Sequence, residues 1–439
     1  MPKQSLSATE RRFTKYVDDL ASALGHADRV APFRSYATGL ILPGDRKSVE
    51  PMAARLAPDR VRAVHQSMHH FVAQADWSDR AILSKVYEAT LPAIERHDRI
   101  HAWIVDDTGI PKKGSQSVGV AHQYCGQLGK QANCQVAVTL SIANEFASLP
   151  IAHRLYLPKE WAEDRARRLK AGVPTQIRFA TKPQIALGQI RAAQAAGVVA
   201  GVIVADAAYG NDTAFRDGIS KLQLRYVLAV QSSTSAWRPG EAPLPPRRRR
   251  KMGMGRPATL VRRTQRHAPI SLLELVNELP ASAFATITWR EGTQTPLESR
   301  FAAVRVRPAH RDTLRSSPRD EEWLLVEWPK DDIVPRKYWL SNLPPAATLQ
   351  QLVKAAQMRW RIERDYQELK DELGLGHYEG RSWRGFHHHA TMSIAAYGFL
   401  IAERGAFSPS SGIHAAFKKS VLPKDFRPRG APGENATSR

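Results

Sequence analysis

At 439 residues the chain is long enough for two or three domains of about 150 residues each, which excludes a peptide or a minimal binding module. Its 64 Lys and Arg against 42 Asp and Glu leave a formal net charge of +22, so the surface carries a positive field that favours a polyanion, nucleic acid first. With 43% hydrophobic and 24% charged residues it is globular material rather than a disordered basic tail. The 2 cysteines, Cys125 and Cys134, are too few for a disulfide scaffold or a four-thiolate zinc site, which suits a reduced cytoplasm.

The opening MPKQSLSATERRF is polar and lacks the apolar run of a signal peptide. The most apolar stretch, Ala195 to Ala205, is well short of the roughly 18 residues that span a bilayer, so no membrane association is expected. From Glu10 to about Arg96, apolar residues recur at three- and four-residue steps (Phe13, Val17, Leu20, Leu24; then Val61, Val64, Met68, Phe71, Val72), the signature of amphipathic helices. Residues 1–97 are read as an all-helical domain that grips DNA, with Arg11, Arg12, Lys15, Arg46 and Lys47 as candidates, although no helix-turn-helix spacing is evident.

Composition changes at Ile100. IHAWIVDD reads as a buried strand, and SVGVAHQY, NCQVAVTLSIAN and ASLPIAHRLYLP follow as an antiparallel meander. Helices are expected near Lys159–Ala171 and Lys182–Ala196, then the strand GVIVADAAYG, a short helix around Asp212–Lys221 and the strand LRYVLAVQ. Strands followed by helix–strand–helix–strand imply a mixed sheet covered by helices. PGEAPLPPRRRRKMGMGRP should be an exposed loop, and RFAAVRVRP, EEWLLVEW and RKYWLSNL a separate β-rich segment. Helical periodicity returns from Thr348 to about Leu373 and again over about His387–Arg404, before a frayed tail.

Asp106 and Asp107 end the first apolar strand and Asp206 a later one. A carboxylate there is fixed by the core yet open to solvent, the placement needed to hold a cation, although strands often end in Asp merely because loops begin there. On TLQQLVKAAQMRWRIERDYQELKDEL, read as one helix, Arg359, Glu363 and Lys370 fall within about 40° of one line, beside an apolar stripe of Ile362, Tyr366, Leu369 and Leu373. Three such carboxylates suit a pair of Mg²⁺ ions cleaving a phosphodiester, one ion activating the nucleophile and the other the leaving oxygen.

The segments VDDTGIPKKGSQSVGVAHQYCGQLGKQANCQVAV, VADAAYGND and RWRIERDYQELK resemble the three signature blocks of DDE-type transposases of bacterial insertion sequences, over roughly residues 10–405. The resemblance implies an α/β fold: an RNase H-like mixed sheet with flanking helices, preceded by the helical domain and interrupted by a β-rich insertion. On this reading residues 98–231 are the first part of the core, 232–345 the insertion, 346–405 the second part with the Glu helix, and 406–439 a flexible tail. It implies a catalytic and metal-binding triad of Asp106, Asp206 and Glu363. Related transposases vary the acid after the catalytic Asp, which favours Asp106, whereas more distant ones use the Asp before Thr, which favours Asp107. A Tyr-Arg-Glu-Lys pattern is matched by Arg359, Glu363 and Lys370, but its Tyr position is Ala356. The implied cofactors are two Mg²⁺ ions, with Mn²⁺ as a substitute. The implied partners are the element's terminal inverted repeats and target DNA, bound by a homodimer.

Further DNA contacts are expected from Lys112 and Lys113 and from the run Arg247, Arg248, Arg249, Arg250, with Arg256, Arg262, Arg263 and Arg266 beyond it. Trp237, Trp289, Trp323, Trp328 and Trp339 are read mainly as the insertion's own core, and Cys125 and Cys134 as packing residues. His387, His388 and His389, consecutive at a helix start, cannot share one ion and are assigned to phosphate or sheet contact. Two rival readings share the sequence: a metal-dependent nuclease without strand transfer, and a non-catalytic DNA-binding regulator derived from a transposase.

Overall fold

The structure, a computed structural model, describes residues 7–247, 258–290 and 297–406. The expected tail after residue 406 and Arg248, Arg249, Arg250 and Arg256 of the basic run lie outside the described residues. In chain order the helices α1 (Ala8–Ala21), α2 (Val30–Ile41), α3 (Val49–Leu56), α4 (Val61–Ala73) and α5 (Asp79–Glu95) precede the strands β1 (Ala102–Pro111), β2 (Ala121–Cys125), β3 (Lys130–Ala143) and β4 (Ser148–Leu155). Next come α6 (Lys159–Glu163), α7 (Arg165–Lys170), α8 (Lys182–Ala195), β5 (Val202–Ala205), α9 (Ala207–Gly210), α10 (Thr213–Lys221) and β6 (Tyr226–Val230). The chain continues through β7 (Ser235–Trp237), β8 (Ile270–Ser271), α11 (Leu272–Asn277), β9 (Ala285–Arg290), β10 (Leu297–Pro308), β11 (Glu322–Glu327) and β12 (Lys337–Ser341). It ends with α12 (Leu349–Gln357), α13 (Trp360–Gln367) and α14 (Trp383–Ala406). The chain divides into two compact units: residues 1–100, 106–192 and 360–439 form the first, 101–105 and 193–359 the second.

In the first unit β3 organises the strands. Its 14 residues accommodate β2 along Lys130–Cys134 and β4 along Ala137–Ala143, both antiparallel, while β1 is its neighbour in the sheet order. The expected meander is thus corrected in one respect: β2 lies beside β3, not β1, because β3 is long enough to pair with two short strands in succession. The N-terminal helices form as their periodicity predicts, α1 starting at a capping box in which Ser7 and Glu10 satisfy each other's backbone N–H groups. They pack on α14, which is buried on nearly every side. Phe13 meets Phe399 edge-on at 4.9 Å, and the Tyr16 hydroxyl donates to the Ala395 carbonyl at 2.8 Å. A Cβ at Gly398 would come within 2.9 Å of Tyr16, Val86 and Thr90, so only glycine lets α1, α5 and α14 approach this closely.

In the second unit the first half of β1 pairs parallel with β5, and β5 with β6. Beyond them β12, β11 and β10 continue antiparallel from β6, with β9 and β7 both on β10 and β8 on β7. The β-rich insertion therefore extends the sheet of this unit rather than forming a separate layer. Its tryptophans are core: Trp339 is buried with Phe301, Leu325 and Leu352, and Trp289 and Trp323 pack against that cluster. Asp312, fully buried, accepts from Trp237 Nε1 at 2.7 Å and from Arg263 Nε at 2.9 Å. Arg263 is thus committed to the fold, not to phosphate. Asp312→Ala strands a guanidinium and an indole N–H, and we expect a loss of about 3–5 kcal/mol, read as a lowered urea midpoint.

The segment from Thr348 to Leu373 is not one helix. α12 opens at a capping box of Thr348 and Gln351 and ends at Met358, α13 begins at Trp360, and Glu368–Glu372 form a π-helical turn. The apolar stripe holds, with Ile362, Tyr366, Leu369 and Leu373 all buried. The expected alignment of Arg359, Glu363 and Lys370 on one helical line does not, because Arg359 lies in the break and Lys370 in the π turn, where the 100° step fails. Among the described residues no helix is long and apolar enough to cross a membrane.

Candidate active site

In the first unit the candidate site is built on the middle of β1: Asp106 and Asp107 do not end the strand as expected, because pairing carries it on to Pro111. Asp106 is buried, 6% exposed, and its Oδ1 accepts the Asp107 N–H at 2.8 Å. Successive strand residues face opposite sides, so the two carboxylates have different surroundings. Asp106 is the neighbour of α13. The Tyr366 hydroxyl shares a 2.6 Å hydrogen bond with the Thr139 hydroxyl of β3, which itself reaches the Asp106 carbonyl at 3.5 Å. Burial first, and the Asp106 charge next, hold the Tyr366 phenol well above its usual range. Glu363 lies one turn before Tyr366 on α13 and is exposed. Lys370 sits 5.8 Å from the Tyr366 ring; burial lowers its ammonium, while Cys125, Asp371 and Asp106 partly counter that.

Three further contacts fix α13. Asp365 accepts from Ser148 Oγ at 2.5 Å and from the Tyr397 hydroxyl at 2.8 Å, and Arg361 donates to the Phe146 carbonyl at 2.9 Å. Burial pushes the Asp365 carboxyl up to about 7, against the two hydroxyl donors. The helix carrying Glu363 is therefore tied to β3, β4 and α14, a rigid mounting suited to a reacting group.

Asp107 is engaged differently. Lys182, the first residue of α8, places Nζ 2.7 Å from Asp107 Oδ2, with the two side chains 29% and 18% exposed. Thr181 and Gln184 cap each other's backbone N–H groups at the start of α8, and Gln189 donates to the Val138 carbonyl of β3, so the ammonium is aimed from a fixed helix. Nothing in the sequence singled out Lys182, because its partner lies far away along the chain.

In the second unit Asp206 ends β5 and caps α9, its Oδ1 accepting the Ala208 N–H at 2.9 Å. Oδ2 is 4.0 Å from Arg359 Nη2, and the Asp206 side chain is 36% exposed. α9 lies so close to β6 that a Cβ at Gly210 would sit 1.8 Å from the Ala229 carbonyl, which accounts for the glycine closing the ADAAYG block. Carboxylate oxygens are the donors that a hard divalent ion prefers. Among the described residues no three His, Cys, Asp or Glu side chains are gathered into a ready ligand group.

Several expected nucleic-acid contacts prove to be internal. Arg12 binds the buried Glu403 at 2.6 Å. Lys47 is buried with its ammonium on the Leu40 and Leu42 carbonyls, and burial lowers it to about 8. Lys15 pairs with Asp19 and Arg46 with Glu379. Lys112 donates to the Tyr378 carbonyl at 2.7 Å and burial lowers it to about 8, whereas Lys113 and Arg247 are exposed. Of the two roles expected of His387, His388 and His389, sheet contact holds for His387, whose Nε2 accepts the Leu155 N–H of β4 at 3.3 Å; phosphate contact does not, because all three are buried and bond to Trp383, to Val72 and Trp77, and to Tyr36 and Gly374. Cys125 and Cys134 are buried free thiols, as expected of packing residues.

Residues 19–296 match the family described as DDE superfamily endonuclease, a span that takes in Asp106, Asp107 and Asp206 and stops before Glu363. Over 202 residues, 46% of this chain, the sequence is 30% identical to a protein of Microchaete diplosiphon named "Probable transposase for insertion sequence element IS701". The chain spans about half the length of that relative, 49%. The mixed α/β architecture is that of an RNase H-like domain, and the match over most of the sequence establishes that the chain belongs to the DDE superfamily of endonucleases.

Proposed function

We propose that the protein is a DNA transposase that cuts the ends of an insertion sequence and joins them to target DNA. On this reading Asp106, Asp206 and Glu363 hold two Mg²⁺ ions, which Mn²⁺ can replace. When bound, the ions supply an activated water or 3′-hydroxyl and stabilise the leaving oxygen. The protein's own part is positioning. Tyr366 and Thr139 keep the helix of Glu363 on the strands beside Asp106, and the Asp206 N-cap fixes its carboxylate at a strand end. Arg359, Lys370, Lys113 and the run Arg247–Arg250 are the proposed phosphate contacts, which position the backbone without reading sequence; Lys112, committed to the Tyr378 carbonyl, is not among them. The DNA partners are the terminal inverted repeats and the target. Because two ends must be cut and joined together, a homodimer forms on DNA, in the cytoplasm at the nucleoid.

The observation that most supports this reading is the hydrogen-bonded mounting of α13, the helix of the third block, through Tyr366 and Thr139 beside Asp106 of the first. An excision assay tests it, using a plasmid that carries the inverted repeats bordering the reading frame, with Mg²⁺ and a second target plasmid. Wild type should release and join the element. Asp206→Ala and Glu363→Ala should each lose cutting by roughly 10³-fold or more while duplex binding is largely kept. Cut ends without joined product would favour a nuclease, and activities unchanged by either substitution a regulator.

A further inference from the structure

Apart from Lys113, already a proposed phosphate contact, the transposase reading leaves one charged region of the first unit unused. Between Arg165 and Lys182 the sequence carries Arg165, Arg167, Arg168, Lys170, Arg178 and Lys182 and no carboxylate. The structure folds this stretch against two others of similar character. Arg167 lies over the Trp161 ring at 3.7 Å and donates to the Ser115 carbonyl at 3.3 Å, joining α7 to the loop after β1. Val118 donates to the Arg381 carbonyl at 3.1 Å and Trp383 to the Ala171 carbonyl at 2.8 Å, joining both to the segment before α14. Arg168 is spent inside, donating to the Ala162, Pro174 and Ile177 carbonyls. That leaves Lys113, Arg165, Lys170, Arg178 and Arg381 exposed, and among the described residues no ion pair takes them up. Nearby carboxylates are occupied: Glu163 pairs with Lys159, Glu379 with Arg46, and Asp164 caps α7; Glu160 remains open.

We infer that this surface, formed by α7, the 112–118 loop and the 378–384 segment, is a second DNA-contacting face that holds the backbone of duplex flanking the cut site. Its reach fits. The six residues from Asp106 to Lys112 span about 20 Å at 3.3 Å each, about six base pairs of duplex at 3.4 Å per pair. Arg167, fixed by Trp161 and the Ser115 carbonyl, and Arg178, held at the Thr175 carbonyl, lose little conformational freedom on meeting phosphates, and such contacts orient a duplex without reading its sequence. The inference rests on the transposase reading above.

The test measures binding of the full-length chain to a labelled mixed-sequence duplex of about 30 base pairs, long enough for several phosphate contacts, and to a single strand of equal length, across a salt series. The variants are Arg165→Glu with Lys170→Glu, and Lys113→Glu separately, with thermal melts as the folding control. Each lost phosphate contact should flatten the log K against log salt slope by about 0.9. The double variant should therefore flatten it by about 1.8 and bind the duplex roughly 60-fold more weakly near 0.1 M salt. A folded double variant with wild-type slope and affinity overturns the inference and leaves the transposase reading standing. A loss confined to the single strand overturns it as well. A wild-type chain that does not bind duplex at all overturns both.

Discussion

Asp106→Asn should abolish strand cutting, by roughly 10³-fold or more, while Asp107→Asn keeps most of the activity once the folded fraction is matched. The two residues are adjacent and chemically identical, so the difference is purely environmental. Asp107 already has a counter-ion in Lys182, 2.7 Å away, and an ammonium at that distance neutralises the charge a divalent ion would need. The Asp106 charge acts on Tyr366 of the helix that carries Glu363, and Thr139 links that phenol to the Asp106 carbonyl. Losing the Asp107 charge leaves Lys182 partly buried without its partner, and we expect a stability cost of about 1–2 kcal/mol, which Lys182→Met should largely relieve in the double variant. Cleavage rates at saturating Mg²⁺, alongside urea melts, separate the two effects. Full loss of cutting in folded Asp107→Asn, with Asp106→Asn active, would reverse the assignment.

Stability should also fall steeply in mild acid, well before the carboxylates titrate. Burial lowers His388 and His389 to about 4, against about 6.5 in the unfolded chain. His389 suits a neutral ring: Nε2 donates to the Gly374 carbonyl at 2.8 Å while Nδ1 accepts from the Tyr36 hydroxyl at 2.7 Å. For His388, burial outweighs two carbonyls, of Trp77 and Val72, that favour the charged form. Because the folded values are depressed, the unfolded chain binds protons first. The stabilisation is present above about pH 6.5 and is lost as the pH falls towards 4. Each histidine accounts for about 2 kcal/mol between pH 7 and pH 5, and together they approach the whole stability of an ordinary domain. His387 and His153 are lowered too, His153 to about 3, chiefly by burial, and act in the same direction. Urea midpoints measured at pH 7, 6 and 5 check this, and a flat profile would contradict it.

The parts of the site legible in the sequence are those that local pattern encodes. Asp106 and Asp206 follow short continuous runs of bulky apolar residues, and the shortness and branched composition of such runs suit strands buried on both faces. The stripe of Ile362, Tyr366, Leu369 and Leu373 specified a buried helical face. The break at Met358 and Arg359 was invisible because no glycine or proline marks it; α12 follows the packing of its own unit around Trp339 and Leu352, and α13 that of Asp365 and Tyr366. Charge was the least legible property. Arg12, Lys47, Lys112 and Arg263 look like nucleic-acid contacts in a chain of net charge +22, yet Arg12, Lys112 and Arg263 are held by a carboxylate or carbonyl remote in sequence, and Lys47 is buried on the Leu40 and Leu42 carbonyls.

What the sequence by itself determined is therefore most of the list of elements, the chemical class of the acidic residues and the basic character that favours a polyanion, since each depends on residues within a few positions of one another. Tertiary structure alone decided which of two neighbouring aspartates is engaged by a lysine, that the three histidines are buried rather than facing phosphate, and which cations remain at the surface. Those outcomes depend on partners that meet only when distant segments pack, and a side chain's charge is available for binding only after the fold has satisfied its own buried groups.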